Sequence, residues 1–282
     1  MIFEERKMIM TKLTVVLFIG LFAAGTIQAK TEKMMIQGSV GNLSTIVETP
    51  DVEKKGKCPV VILMHGFNDN KNSSLLVVIA DKLKNQGIAS VRFDFDGHGE
   101  SDGAFQNMTV PREVDDAVKV YEYVSHSKRF GRVALLGHSQ GGVVASMTAG
   151  RLGKKCISDV ILLAPAAILR EDVIRGNTMG VAYDPLNPPE FVQLYNGPKL
   201  GREFIRTAFN LPIYETASKY KGAACLIHGT GDRVVPYTCS IHYHEIWKRS
   251  KLYLLDGFDH GFSQNMERAA NLAVTDLVQK LL

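Results

Sequence analysis

The chain has 282 residues, 45% of them hydrophobic and 22% charged, an ordinary globular balance with ample apolar material for a core. Its net charge of +4 is spread along the chain with no basic block or stripe, which argues against a nucleic-acid-binding surface. Length alone allows one or two domains.

The first segment differs in kind from the rest. Arg6, Lys7 and Lys12 precede an apolar run from Leu13 to Ala24, and small residues then lead to Ala29 before the polar Lys30. This is the order of a secretory signal peptide, and the apolar run falls short of the about 20 residues of a comfortable membrane span. Residues 1–29 are therefore set apart from the fold, and an exported protein, periplasmic or secreted, is expected, with no stable membrane association after cleavage. An uncleaved N-terminal anchor is the alternative. Cys58, Cys156, Cys225 and Cys239 fit no zinc spacing and no C-x-x-C pattern; two bridges would allow three connectivities, and the sequence favours none.

From residue 34 to 49 the pattern reads as a leading hairpin with Gly41-Asn42 near its turn. Val60–Met64 is a continuous apolar run, as expected of a strand buried on both faces, and it ends in His65-Gly66-Phe67. Residues 73–86 have helical spacing and stop at Gly87. A strand at 88–93 leads to the loop Asp94–Gly103. Residues 110–126 form an amphipathic helix with Pro111 in its first turn and Glu113, Asp115 and Asp116 near its positive end. A strand at 132–136 then meets Gly137-His138-Ser139-Gln140-Gly141-Gly142, followed by a helix to about Leu152. Strands at 160–164, 223–228 and 251–255, a helix around 238–249 and a closing helix at 264–282 complete the alternation. Strands and helices alternating in this way give an α/β fold, a mostly parallel central sheet covered by helices on both faces. Between about 165 and 211 the rhythm breaks in a segment rich in Pro and Gly that also carries Phe191, Val192, Leu194, Tyr195, Phe204, Ile205 and Phe209. An insertion of that size after a strand end is expected to be a small cap over a binding site rather than a loose loop.

The strand-turn-helix context of G-H-S-Q-G is that of a nucleophile elbow, in which a tight, strained turn presents a serine. A serine hydroxyl is a poor nucleophile at neutral pH and needs a base, with a third group to orient that base. Both partners are expected past later strand ends, where open α/β sheets carry their chemistry. Asp232 follows the strand 223–228 in a Gly-rich turn, and His260 follows the strand 251–255 on the loop before the last helix. The order Ser139, Asp232, His260 is that of an elbow-type triad. Asp256 and Asp259 are competing acids too close in sequence to His260 to orient it easily. His65, His98, His138 and His228 read as packing or hydrogen-bonding residues. For an oxyanion hole, backbone N–H groups of Gln140, at the start of a helix, and Phe67 are the candidates. Gly97-His98-Gly99 lacks the third glycine of a dinucleotide fingerprint, since Asp102 stands there.

With these residues in hand, residues 30–282 resemble the α/β-hydrolase superfamily. They are also similar to bacterial cinnamoyl/feruloyl esterases at His65–Phe67, Asp94–Gly103, Gly137–Gly142, Leu162–Ala166, Gly176–Thr178 and Leu211–Glu215. The resemblance implies a serine carboxylesterase working through an acyl-enzyme on hydroxycinnamoyl or related aryl esters, small or carbohydrate-linked, with no cofactor and no metal. It makes the 165–211 insertion the cap and places Asp172 where a phenolic hydroxyl would be held. Phe204 and Met179 stand where other members of the family offer a tyrosine and a glutamine, which implies a broader aryl or apolar acyl preference. An acyltransferase or peptidase of the same fold, or a ligand-binding protein that keeps the fold without turnover, are the alternatives.

Overall fold

The computed structural model describes residues 30–50, 57–195 and 197–282, so the segment 1–29 read as a signal peptide lies outside the described residues. Eight strands make the main sheet: β1 (Lys30–Gln37), β2 (Asn42–Thr49), β3 (Cys58–Met64), β4 (Ala89–Phe93), β5 (Phe130–His138), β6 (Asp159–Leu163), β11 (Ala223–Gly229) and β12 (Ser250–Leu255), in the order β1-β2-β4-β3-β5-β6-β11-β12. The leading hairpin β1–β2 is antiparallel and adds to β4 antiparallel; the six strands from β4 to β12 run parallel. The parallel strands read as unbroken apolar runs because both faces are covered. Val60, Ile62 and Met64 pack under the helices α2 (Val110–His126) and α3 (Gln140–Leu152). Val61 and Leu63 pack under α1 (Ser74–Asn85) and α8 (Met266–Leu281).

Register decides where the chemistry gathers. Met64 of β3 pairs with Gly137 of β5, His138 with Leu163 of β6, Leu163 with Ile227 of β11, and Gly229 with Leu255 of β12. The loops opening on Phe67, Ser139, Asp232 and His260 therefore leave one rim of the sheet at nearly one level. The described residues between β6 and β11 form α4 (Leu169–Ile174), the hairpin β7 (Asn177–Thr178) with β8 (Val181–Ala182), the hairpin β9 (Phe191–Gln193) with β10 (Lys199–Gly201), α5 (Arg202–Phe209) and α6 (Ile213–Ala217). After β11, α7 (Thr238–Ile246) ends earlier than the pattern around 238–249 suggests, because Trp247 leaves the helix to bury its ring and donate Nε1–H to the Ala217 carbonyl at 2.8 Å. Cys156, Cys225 and Cys239 are free thiols.

One expectation about α2 changes. Of the three acidic residues near its start, only Asp115 serves the surface, paired with Arg151. Glu113 and Asp116 are buried, on the same stripe as Val110, Val114, Ala117, Val120 and Val124. Asp116 accepts the Ser39 and Asp96 amides at 2.8 and 3.0 Å and the Ser39 hydroxyl at 2.7 Å, tying the leading hairpin to the helix.

At the opposite rim of the sheet a second pair of carboxyls is buried. Asp159, at the start of β6, lies against Asp276 of α8, and neither Asp159 oxygen nor Asp276 Oδ2 meets a donor among the described residues. Burial, reinforced by the neighbouring Asp276 charge and a hydrogen bond between the two carboxyls, pushes the Asp159 carboxyl up to about 8. A proton shared by the pair satisfies one Asp159 oxygen and Asp276 Oδ2, while Lys251 holds the other Asp276 oxygen at 2.6 Å. A folded-state value raised above the ordinary carboxylate range means that folding binds a proton in the interval between them. This group's contribution is therefore fully present at low pH and is lost as pH rises towards about 8. Asp159→Asn, whose amide donates to Asp276 without a titrating proton, is expected to flatten the fall in Tm between pH 6 and pH 9; parallel wild-type and variant curves would rule out the shared proton.

Candidate active site

Ser139 sits where β5 turns into α3, at φ 56 and ψ −123, a left-handed conformation that costs a side-chain-bearing residue about 1–3 kcal/mol. The turn is tight because its glycines allow it. A Cβ on Gly137 would stand 2.0 Å from the Gly141 carbonyl oxygen, and one on Gly141 would stand 2.3 Å from the His65 carbonyl oxygen. The Ser139 amide is spent on the Leu163 carbonyl at 2.9 Å, which pins the elbow to β6. Its hydroxyl donates to His260 Nε2 at 2.8 Å, and His260 Nδ1 donates to Asp232 Oδ2 at 2.7 Å. Asp232 has a fully buried side chain, and its Oδ1 accepts the Val234 and Val235 amides, both at 2.8 Å. Burial alone would raise this carboxyl, but the bonds from His228, His260 and the Val235 amide outweigh it and hold the group well below the usual carboxylate range. Asp256 and Asp259 are spent elsewhere, on Thr230 and on Ser263 respectively.

The loop after β3 lies directly on the elbow, since a Cβ on Gly66 would be 3.1 Å from Ser139 Cβ. His65, almost fully buried, donates from Nδ1 to the Gly66 carbonyl at 2.8 Å and accepts the Phe95 amide on Nε2 at 3.2 Å. In a planar trans peptide the N–H points away from its C=O. Clasping the Gly66 carbonyl therefore aims the Phe67 N–H in the opposite direction. Among the described residues neither the Phe67 nor the Gln140 amide meets an acceptor, so both remain available to an incoming oxyanion. Burial keeps His65 neutral by lowering its basicity, as this arrangement requires. The Asp94–Gly103 loop braces the same strand end. Asp94 takes the Lys71 amide and ammonium, both at 2.6 Å, and Lys71 also reaches Glu100 at 2.8 Å. His98 stacks edge-on against Phe105, and Phe105 against Phe67.

Gln140 carries a second constraint. Its side-chain amide donates to Glu113 at 2.8 Å, inside the core between α2 and α3. Burial pushes the Glu113 carboxyl well above its usual range, and the nearby Asp116 adds to this. His138 donates from Nε2 to the His260 carbonyl at 2.9 Å; burial and the neighbouring His260 lower it to about 4, so it serves as a neutral strut for the His260 loop.

A cleft opens over Ser139, lined at its base by Phe67 and Gln140, on one side by Val234 and Val235, and above by Ile168, Leu169, Asp172, Thr178, Met179 and Phe204. The three cap residues singled out in the sequence thus come together over Ser139: Phe204 buried, Asp172 partly buried, Met179 exposed at the hairpin turn. Burial raises the Asp172 carboxyl above its usual range. The sequence assigns no role to Thr178 or Tyr183. They exchange a 2.7 Å hydrogen bond, and Thr178 lines the cleft with Asp172, the two polar residues among otherwise apolar cap residues there. Strands of two residues show no alternation, so only the Gly176 and Gly180 turn signals mark that hairpin in the sequence.

A family model described as serine aminopeptidase, S33, matches residues 56–187. The ferulic acid complex of Est1E from Butyrivibrio proteoclasticus superposes with a TM-score of 0.83 at 27% identity, covering 88% of this chain and 98% of that one. This chain has the α/β-hydrolase fold, with the serine, histidine and aspartate geometry of a serine hydrolase. Curated relatives match over shorter stretches. Bovine mitochondrial palmitoyl-protein thioesterase ABHD10 is 33% identical over 88 residues, 31% of this hydrolase and 28% of the thioesterase. Human protein ABHD12B is 26% identical over 222 residues, 74% of this hydrolase and 56% of that protein. The hydrolase therefore spans little more than a quarter of the thioesterase and just over half of ABHD12B.

Proposed function

We propose that this hydrolase is a carboxylesterase that cleaves hydroxycinnamoyl or related aryl esters through an acyl-enzyme on Ser139. The observation that carries the reading is the unbroken chain Ser139–His260–Asp232 opening into a largely apolar cleft to which the cap contributes two polar side chains, Asp172 and Thr178. The likeness to Est1E, whose structure holds ferulic acid, supports it.

With Nδ1–H committed to Asp232, the His260 Nε2 lone pair faces the Ser139 hydroxyl. Nε2 takes that proton as Oγ bonds to the ester carbonyl carbon, and the carbonyl electron pair moves onto oxygen, where the Phe67 and Gln140 amides meet it. Asp232 stabilises the imidazolium without becoming protonated. The imidazolium then protonates the departing alkoxide. Water, deprotonated by the same nitrogen, releases the acid and restores Ser139. Export of the protein, read from residues 1–29, is part of the same proposal, and N-terminal sequencing of the protein recovered from its host tests it.

The test of substrate class is a panel of methyl and nitrophenyl esters of hydroxylated cinnamates, plain cinnamate and alkanoates. Preferential cleavage of hydroxycinnamates supports the proposal; turnover confined to alkanoates or to peptides defeats it. Within that panel Asp172→Ala is expected to raise KM for hydroxylated cinnamates by roughly tenfold, the cost of one lost hydrogen bond to a charged group, with little effect on plain cinnamate. Equal changes on both substrates would remove Asp172 from recognition.

A further inference from the structure

Resting on the assignment of Ser139, His260 and Asp232, we propose that His228 is a positioning residue of this site, a second imidazole that acts on His260 through Asp232. His228 is the penultimate residue of β11, and its side chain is fully buried. Its Nδ1 accepts the Ser240 hydroxyl of α7 at 2.7 Å. That bond leaves the ring proton on Nε2, which faces two acceptors, Asp232 Oδ2 and the Val235 carbonyl, each at 3.1 Å. The alternative tautomer would leave both acceptors facing a lone pair inside the core, at a cost that buried polar groups rarely bear.

Asp232 Oδ2 is thus shared by two imidazoles, His260 at 2.7 Å and His228 at 3.1 Å. Two consequences follow. The Val235 and Asp232 contacts hold the loop 229–235 folded back on β11, fixing the carboxylate in the plane that His260 needs. The extra donor also withdraws charge from Oδ2, so the carboxylate supports the His260 imidazolium less than a free carboxylate would. The charged and titratable groups around this cluster are few: His228 and His260 on Asp232 itself, His138 stacked at 5.0 Å on His260, and Asp259 on the neighbouring loop.

The test uses the rate at which a fluorophosphonate labels Ser139, which needs no knowledge of the ester substrate. Oγ bonds to phosphorus, fluoride leaves with the P–F bonding pair, and His260 accepts the hydroxyl proton. Two variants separate position from mere packing. His228→Asn places an amide near the Nδ1 position and keeps the Ser240 contact, but it lacks the donor to Asp232. His228→Gln extends an N–H to about the Nε2 position. In His228→Asn the labelling constant is expected to fall roughly tenfold and its acid limb to move to higher pH by about half a unit. In His228→Gln both are expected to return towards wild type. An unmoved acid limb in the Asn variant, or equal shifts in both variants, overturns the proposal even if their Tm values fall. Failure of the wild type to label, or labelling of Ser139→Ala at the wild-type rate, overturns the triad assignment first and this proposal with it.

Discussion

Ser139→Ala is expected to lower kcat on any ester this hydrolase turns over by about six orders of magnitude, the scale on which removal of an elbow-type nucleophile acts. The variant keeps the oxyanion donors and the cleft, so about a thousandfold residual acceleration over water is all that remains to it. The fold should hardly notice. Alanine at 139 meets the same left-handed φ of 56 as serine, and the hydroxyl's one hydrogen bond is to His260 at the floor of an open cleft. Unchanged Tm together with lost turnover is therefore the signature, read by a thermal melt beside a steady-state assay cleared of contaminating esterase. Turnover surviving within tenfold of wild type would remove Ser139 from the chemistry.

Asp232→Asn is expected to cost about ten-thousandfold in kcat. The substitution preserves shape but replaces an acceptor by an amide that must direct either its oxygen or its nitrogen at each neighbour. Four N–H groups converge on this carboxylate: His260 and His228 on one oxygen, Val234 and Val235 on the other. With the amide nitrogen on either side, two of those donors face a donor. If it turns towards the imidazoles, His260 is driven to the tautomer with its proton on Nε2, and no lone pair faces Ser139. If it turns towards the loop, the Val234 and Val235 amides lose their acceptor and the Asp232 turn loosens. The measurements are kcat across pH and Tm: the first orientation lowers kcat alone, and the second lowers both. A loss smaller than tenfold would show that Asp232 is not the orienting acid.

Much of this site was readable from the chain because its parts obey local rules. Gly137, Ser139 and Gly141 have a spacing that only a strained turn demands, and Asp232 and His260 follow apolar runs long enough to be recognised as strands. What escaped depends on contacts between distant segments. Glu113 and Asp116 read as helix-start charges, yet they fall on the buried stripe of α2, where Gln140, Ser39 and the Asp96 amide meet them. Their burial could have been suspected from their i, i+3 spacing in phase with Val120 and Val124. Thr178 and Tyr183 lie on a hairpin too short to have a period. The function of His228 depends on the chain folding back at Val235, which no spacing reveals.

The crowded carboxylate of Asp232 has a last consequence. With every approach to its oxygens occupied by N–H groups, it has no room to accept a proton at any stage of the cycle. In the proposed cycle a single mobile proton is therefore handed from Oγ to Nε2, on to the departing alkoxide, and replaced from water. Negative charge at Asp232 stays constant while charge at the substrate rises and falls, so the site works against a fixed electrostatic background instead of a moving one.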